Sequence, residues 1–316
     1  MNYFDQFEKF LNFYYLHEVD SIAISQFLIT KRKSLFVDFM RLKEQNYEIA
    51  KNYDCKIVSI GQNCLPQTIS VRTGLKLPGW LRKEKQMFFD VAQTNIKSAN
   101  KILSNYSPNL TLCDSYYNDN VHFYSKEFKF LWTHVRVNPN LDFSTNINQY
   151  NSLLHERLAR NINSLRKGNC LCLICLYYDT QDTPDDLREL ERVVKTYNET
   201  NKIFVIDYWG RGGGNFKGIN YYKCRLPFSS FVWHKRQHYF RPEGFEFYRS
   251  ISQQVLSFIT SEFPQKEDNL DPFSYTENCV AYKDFLISML KENFKVIYDD
   301  RLNVIEDLIK LKKLNI

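Results

Sequence analysis

A cysteine in a polar turn is the residue of this sequence best suited to nucleophilic chemistry. Residues 55–61 form a short β-rich run that ends in Gly61, and Gln62, Asn63 and Cys64 follow it directly, before a predicted helix. A helix N-terminus favours the thiolate because its dipole and its unpaired backbone N–H groups attract negative charge. The pattern therefore predicts Cys64 as a nucleophile, and the alternative is one more small buried residue.

The same turn supplies the other groups that acyl chemistry needs. The backbone N–H groups around Gly61, Asn63 and Leu65, with the Asn63 side chain, are the predicted donors to an oxyanion on the attacked carbonyl. The amide of Gln62 is predicted to contact the substrate. Together these residues form a candidate site for acyl transfer or hydrolysis.

Two histidines near residue 240 are the candidates for a general base. His234 and His238 precede a helix start at Pro242, in the last loop of the predicted core. A histidine within hydrogen-bond reach of a thiol can accept its proton near neutral pH. We favour His238 over His234 as the base; the alternative for either is a surface or packing histidine.

Further polar residues follow other predicted strands or aromatic pairs. Asp90 comes after two phenylalanines and either caps a helix or orients the catalytic histidine. Asp179 and Asp182 follow a buried strand and either contact substrate or cap the next helix. His134 and Arg136 are predicted substrate contacts with the same ambiguity.

Strands and helices alternate along the middle of the chain. Apolar runs at 171–178, 202–209 and 219–226 predict strands, and amphipathic stretches at 148–166 and from Pro242 to about residue 263 predict helices. This alternation predicts an α/β fold with a three-layer parallel-sheet core covered on both faces. Ligands of such sheets bind beyond the carboxyl ends of the strands.

The ends of the chain differ from this core. We expect a helical N-terminal extension at 1–52, with one helix over 25–46, and an α/β catalytic core at 53–263. A linker and C-terminal helices are predicted at 264–316, so the fold has helical N- and C-terminal extensions. The stretch 96–150 is rich in Asn, Ser and Tyr and reads as loops.

The composition narrows the functional classes. A net charge of +6 with only short basic clusters does not predict a nucleic-acid partner. Of the eight cysteines, Cys170, Cys172 and Cys175 lie in one apolar run, and no second cluster has zinc-ligand spacing, so we expect no metal. Neither a transmembrane segment nor a signal peptide is predicted, and free cysteines favour a cytoplasmic location.

The segment 59–64 (Ser-Ile-Gly-Gln-Asn-Cys), together with 72–76 and 88–90, resembles the start of the bacterial papain-like cysteine peptidase family. The family pattern is Gly-x-x-Cys, a Gly-Leu pair and a Pro-Phe-Asp-Trp element. This chain departs from it at Phe88, which replaces the proline, and at Val91, which replaces the tryptophan.

The layout over about 55–260 is also similar to the SGNH-type esterase and acyltransferase fold, which implies an SGNH/flavodoxin-like core. Cys64 stands in place of the serine nucleophile, residues 178–182 stand in place of a Gly-x-Asn-Asp block, and Lys235 replaces the Asp of Asp-x-x-His. WcbI-type capsule-biosynthesis proteins, which have a Gly-Asn-Cys-Gln turn, are similar in using a cysteine there.

These resemblances imply an O-acetyl transferase or esterase that acts on a surface-polysaccharide or other glycan precursor. Acetyl-coenzyme A is then the expected acyl donor, since exchange between two thioesters is nearly balanced. One alternative is a papain-like cysteine hydrolase, and the other is a non-catalytic glycan-binding or assembly protein. The terminal helices are candidates for homo-oligomer contacts.

Overall fold

The computed structural model describes residues 33–62, 64–76, 86–90, 92–107, 109–117, 122–132, 138–176, 182–208, 216–233, 238 and 241–266. In chain order the elements are α1 (Lys33–Ala50), β1 (Lys56–Gly61), α2 (Leu65–Arg72), a 3-10 turn (Phe88–Asp90), β2 (Ala92–Gln93), α3 (Ile96–Ser104), β3 (Ser115–Tyr117), β4 (His122–Ser125), β5 (Phe130–Trp132), α4 (Phe143–Lys167), β6 (Cys170–Leu176), α5 (Pro184–Tyr197), β7 (Lys202–Asp207), β8 (Tyr221–Lys223) and α6 (Pro242–Glu262). The C-terminal helices and most of the N-terminal extension lie outside the described residues.

The main sheet contains four parallel strands in the order β1-β6-β7-β8. The predicted parallel α/β sheet is therefore confirmed. Strands β1, β6 and β7 are almost entirely buried along their length, which is typical of parallel strands covered by other elements. Strand β8 lies at one edge of the sheet, is shorter than the predicted 219–226 and is only partly buried.

Alternate residues of the strands enter two separate apolar clusters. Val58 and Cys172 belong to a first cluster, which contains buried residues of α3, α4 and α5. Ile57 and Leu173 belong to a second cluster, which contains buried residues of α2 and α6. This alternation follows from the two-residue period of a strand.

The helix starts follow local capping chemistry. Helix α5 begins with a capping box in which the Thr183 hydroxyl accepts from Asp186 N (3.2 Å) and the Asp186 carboxylate accepts from Thr183 N (2.8 Å). Helix α4 begins at Phe143, earlier than the predicted 148, because Asp142 accepts from Thr145 N at 2.7 Å. That bond is the main reason why the pKa of Asp142 lies below its usual value.

The stretch 96–150, predicted to be loops, contains α3 and three of the four strands of a second sheet. Strands β2, β5, β4 and β3 form it, in that order, and all its pairings are antiparallel. Each strand has only two to four residues, too few for a period-2 pattern to stand out. The sheet buries Trp132 and Phe123 against Tyr150 of α4.

Helix α1 packs against the end of α2 and fixes it in place. Asn46 donates to the Thr73 carbonyl at 2.8 Å. Gly74 has a φ of +79°, and a Cβ there would lie 2.1 Å from the Lys43 carbonyl oxygen. Only glycine fits at position 74, because the backbone there is left-handed and the nearby backbone of α1 leaves no room for a Cβ.

Candidate functional site

Cys64 is the N-cap residue of α2, three residues after the end of β1. Its carbonyl accepts from Thr68 N at 3.0 Å, which closes the first turn of the helix. The side chain is partly exposed and packs at the border of the second cluster. Serine, threonine, aspartate or asparagine usually occupies this position and caps the helix, whereas the Cys64 thiol makes no cap hydrogen bond.

The predicted oxyanion residues lie on both sides of this thiol. Gly61 is the last residue of β1 and lies opposite Cys175 in the ladder. A Cβ at Gly61 would lie 3.4 Å from Cys175 N, an ordinary van der Waals contact. Leu65, the first residue of α2, is fully buried. Asn63 lies outside the described residues.

Gln62 and Asp182 bind each other across the carboxyl edge of the sheet. Gln62 Nε2 donates to Asp182 Oδ2 at 2.9 Å, and both carboxylate oxygens of Asp182 accept from Ile96 N at 3.1 Å. The carboxylate therefore lies at the N-terminus of α3, where the helix dipole favours negative charge. Asp182 does not cap the helix that follows it, since Thr183 does so. Asp182, between β6 and α5, thus contacts two points of the long connection from β1 to β6, and the predicted substrate role of Gln62 and of Asp182 stays a prediction.

His238 is held by a backbone hydrogen bond and by aromatic rings. Val232 N donates to His238 Nδ1 at 2.9 Å. The ring stacks on Phe231 (centroids 6.0 Å, 27°) and meets Phe228 edge-on (5.1 Å, 79°). Since Nδ1 accepts, the neutral ring carries its proton on Nε2, and Nε2 is then a donor. His234, the other candidate base, lies outside the described residues.

Asp90 forms a buried ion pair beside the helix that Cys64 caps. The Asp90 side chain is fully buried; Oδ1 lies 3.3 Å from Lys76 Nζ, and Oδ2 accepts from Met87 N at 3.0 Å. Lys76 also donates to Gln67 of α2 at 2.8 Å, and the Ser59 hydroxyl lies 3.5 Å from the same Gln67 oxygen. This arrangement connects Asp90 to α2, and its predicted action on a histidine stays a prediction.

Arg72, at the other end of α2, is a buried cation that did not stand out as a site residue in the sequence. It is fully buried, donates to the Trp233 carbonyl at 2.8 Å and donates to the Tyr248 hydroxyl. Its guanidinium lies over both rings, 5.8 Å from the Trp233 centroid and 5.3 Å from the Tyr248 centroid. Arg72 is the one charged residue of α2, which is the available signal in the sequence; that every residue of this helix is buried became clear from the structure.

Asp207 is a second residue that sequence reasoning missed. It is the last residue of β7, is buried, and accepts a hydrogen bond from the Tyr221 hydroxyl. Burial, and then the hydrogen bond to Asp207, raise the pKa of Tyr221 above its ordinary value. The carboxylate looked like part of a strand in the sequence, because its neighbours in 202–209 are apolar.

The other described cysteines have settings unlike that of Cys64. Burial raises the pKa of Cys172 and Cys175 well above the ordinary thiol value, and it raises the pKa of Cys113 to about 11. Cys55 is partly exposed, yet burial and the neighbouring Cys170 raise its pKa to about 12. Thiols of this kind stay protonated and unreactive at neutral pH.

Two further observations concern the described residues alone. They contain no group of three or more His, Cys, Asp or Glu side chains arranged to hold a metal ion. None of their helices has the length and apolar character that crossing a membrane requires. His134, Arg136 and Asp179, three of the predicted substrate contacts, lie outside the part of the chain that the structure describes.

Comparison with known protein families, curated proteins and solved structures finds no match for this chain. The fold and the site nevertheless define a class. This is an α/β protein with a parallel sheet, in which a partly exposed cysteine caps the helix that follows the first strand of that sheet.

Proposed function

We propose that this chain is a cysteine-dependent acyltransferase or esterase in which Cys64 attacks an acyl carbonyl. The observation that supports this most is the thiol at the N-cap of α2, where a hydroxyl or carboxylate cap is the norm. It is partly exposed at the carboxyl end of β1, whereas burial raises the pKa of Cys172 and Cys175. We also infer a three-layer core, because the strands alternate between two helix-lined clusters.

The proposed reaction has two steps. In the first, Cys64 loses its proton and its sulfur forms a bond to the acyl carbon of an acetyl thioester such as acetyl-coenzyme A. The donor thiolate leaves with that proton, and the acetyl group is now a thioester on Cys64. In the second, a glycan hydroxyl or water attacks the carbon, its proton passes to a base, and the Cys64 thiolate is restored. Helix N-terminal N–H groups stabilise the oxyanion in both steps.

The two histidines receive different roles in this proposal. His238 Nδ1 accepts from Val232 N–H, so its neutral ring carries the proton on Nε2, and the proposed role of this N–H is to donate to the reacting group. Accepting a proton at Nε2 would require the other tautomer, which loses the hydrogen bond from Val232. We therefore assign the base to His234 and a donor role to His238. The glycan acceptor and the coenzyme A donor derive from the resemblance to capsule acyltransferases.

Acetyl transfer to Cys64 can be tested by incubating the protein with acetyl-coenzyme A and measuring the intact mass. We expect one acetyl adduct on the wild-type chain, none on Cys64→Ser, and an unchanged adduct on Cys55→Ser, the matched control at another partly exposed thiol. No adduct despite rapid alkylation of Cys64 by iodoacetamide would reject acetyl transfer in favour of peptide-bond hydrolysis. A slowly alkylated Cys64 would reject both enzymatic functions and leave glycan binding.

The histidine roles can be tested with two substitutions of His238, each of which retains a hydrogen-bonding atom near one of the two ring nitrogens. His238→Gln keeps a donor near the Nε2 position, whereas His238→Asn keeps an acceptor near Nδ1 for Val232 N–H. We expect His238→Gln to retain more adduct formation than His238→Asn, and His234→Ala to lose most of it. Equal and complete loss in both His238 variants, with full activity in His234→Ala, would return the base role to His238.

A further inference from the structure

Two of the three residues directly before His234, Phe231 and Trp233, have backbone groups bonded by buried side chains. The Tyr208 hydroxyl donates to the Phe231 carbonyl at 3.1 Å and accepts from Trp233 N at 3.0 Å. Tyr208 is fully buried. One hydroxyl therefore bridges two backbone groups on either side of Val232. We call residues 231–233 the clamped segment.

The clamped segment is tied to the sheet and to the helix that Cys64 caps. Tyr208 directly follows β7, and its N–H donates to the Leu176 carbonyl at the end of β6 (3.0 Å). Arg72, the last residue of α2, donates to the Trp233 carbonyl at 2.8 Å, and Tyr248 donates to the same carbonyl at 3.3 Å. The strand ends and α2 thus fix one short stretch of backbone.

Between these anchors, Val232 N points its hydrogen at His238. The 2.9 Å bond to Nδ1 selects the tautomer with the proton on Nε2. Phe231 supplies the ring on which the imidazole stacks. The clamped segment therefore fixes both the proton position and the ring plane of His238. Tyr208 and Arg72, which hold this segment, are far from His238 in the sequence.

We propose that Tyr208 and Arg72 are positioning residues that set the tautomer and orientation of His238 relative to the helix of Cys64, which rests on the function proposed above. Loss of the Tyr208 hydroxyl leaves the Phe231 carbonyl and Trp233 N–H without that partner in a buried place, so the segment must shift to satisfy them. Small displacements of catalytic groups reduce rates steeply: a misplacement of about 1 Å costs about 10²-fold.

The test uses Tyr208→Phe, which removes a single oxygen, with Tyr222→Phe as the matched control. The Tyr222 hydroxyl bonds to Ser250 (2.7 Å), and its ring packs on the same apolar cluster. The first readout is the tautomer of His238, obtained from ¹⁵N shifts of the histidine-labelled protein and assigned with His238→Gln. We expect Nε2–H in the wild type and in Tyr222→Phe, and a mixture of tautomers in Tyr208→Phe.

The second readout is the rate at which the acetyl adduct forms. We expect Tyr208→Phe to be slower by about tenfold to a hundredfold. In a His238→Gln background the same substitution should change the rate by less than about twofold, because coupled residues are not additive. Arg72→Lys, which keeps the charge but loses the planar fork, should follow the same pattern and serves if Tyr208→Phe does not fold.

The outcomes separate this inference from the proposed function. An unchanged His238 tautomer in both Tyr208→Phe and Arg72→Lys overturns the positioning role, whatever the activity. Equal slowing by Tyr208→Phe in the wild-type and His238→Gln backgrounds overturns it too, since a general loss of structure acts without His238. If the wild-type chain forms no acetyl adduct, the proposed function fails, and the tautomer measurement still decides whether the clamped segment controls His238.

Discussion

Cys64 lies at the carboxyl end of β1, while Cys172 lies in the middle of the neighbouring strand β6. Cys172 is enclosed by the first cluster, and burial raises the pKa of its thiol well above the ordinary value. Cys64 is partly exposed and adjoins the first N–H groups of a helix. Cysteine therefore serves as a small apolar residue within β6 and as a candidate nucleophile after the neighbouring strand β1.

Cys55 shows that partial exposure alone does not account for this difference. It is partly exposed like Cys64, but it precedes β1 instead of following it. Burial, and then the neighbouring Cys170 thiol, raise its pKa to about 12. What distinguishes Cys64 is the helix N-terminus, so the two ends of one strand present thiols in opposite settings.

The largest expected effect is the difference in alkylation rate between Cys64 and Cys55. At about pH 8 a thiol whose pKa is about 12 has roughly 10³-fold less thiolate than one with the ordinary value of 9.0. A thiolate of higher pKa is the stronger nucleophile, which offsets part of this difference, so we expect iodoacetamide to modify Cys64 faster than Cys55 by at least about tenfold, as measured by peptide mass spectrometry over time. A raised pKa keeps the thiol protonated, so Cys55 labelling should continue to increase up to about pH 12.

Unfolding the chain in urea provides the control for that comparison. Without the folded structure the pKa of Cys55 returns to its ordinary value, and the alkylation rates of the two thiols should become similar. Similar rates in the folded protein between about pH 7 and pH 9 would show that the helix start gives Cys64 no advantage.

The next largest effect concerns Asp90, which belongs either to the chemistry of Cys64 or to the core. Asp90→Asn leaves the largely buried Lys76 without its carboxylate, and breaking a buried pair in this way costs about 3 kcal/mol. We expect that loss in the free energy of unfolding by urea, with partial recovery in Asp90→Asn/Lys76→Met. The alkylation rate of Cys64 should stay close to that of the wild type.

Asp185→Asn is the matched control, since Asp185 pairs with Arg188 on the surface and its side chain is 88% exposed. Asp185→Asn should change neither the free energy of unfolding nor the alkylation rate of Cys64 measurably. If Asp90→Asn kept full stability and instead slowed the formation of the acetyl adduct, Asp90 would be the acid that orients the histidine, as the sequence suggests.

The sequence was sufficient for the features that local patterns determine. The apolar runs of β6 and β7 predicted buried parallel strands. The position of Cys64 between a strand and a helix could be predicted for the same reason, since Gly, Gln, Asn and Pro mark a turn.

The features that depend on contacts between distant segments could not be predicted. Gln62 binds Asp182, 120 positions away, and Arg72 binds the Trp233 carbonyl, 161 positions away. No local sequence pattern around Gln62 or Arg72 indicates which distant residue each of them contacts. Such contacts also change the role expected of a residue: Asp182 accepts from the first N–H of α3 and does not cap α5, the helix that follows it in the sequence.

The smallest expected effect is on stability, where the order of the two cysteines is reversed: Cys172 should matter more than Cys64. Cys172→Ser puts a hydroxyl into an apolar cluster and should lower the free energy of unfolding by about 2 kcal/mol. Cys64→Ser should change it by less than about 0.5 kcal/mol, because serine is a favourable N-cap and the site is partly exposed. Urea unfolding measures both, and Cys172→Ser should keep the acetyl adduct that Cys64→Ser loses. A larger loss of stability in Cys64→Ser than in Cys172→Ser would mean that Cys64 is kept for packing, and would remove the main support for a nucleophile.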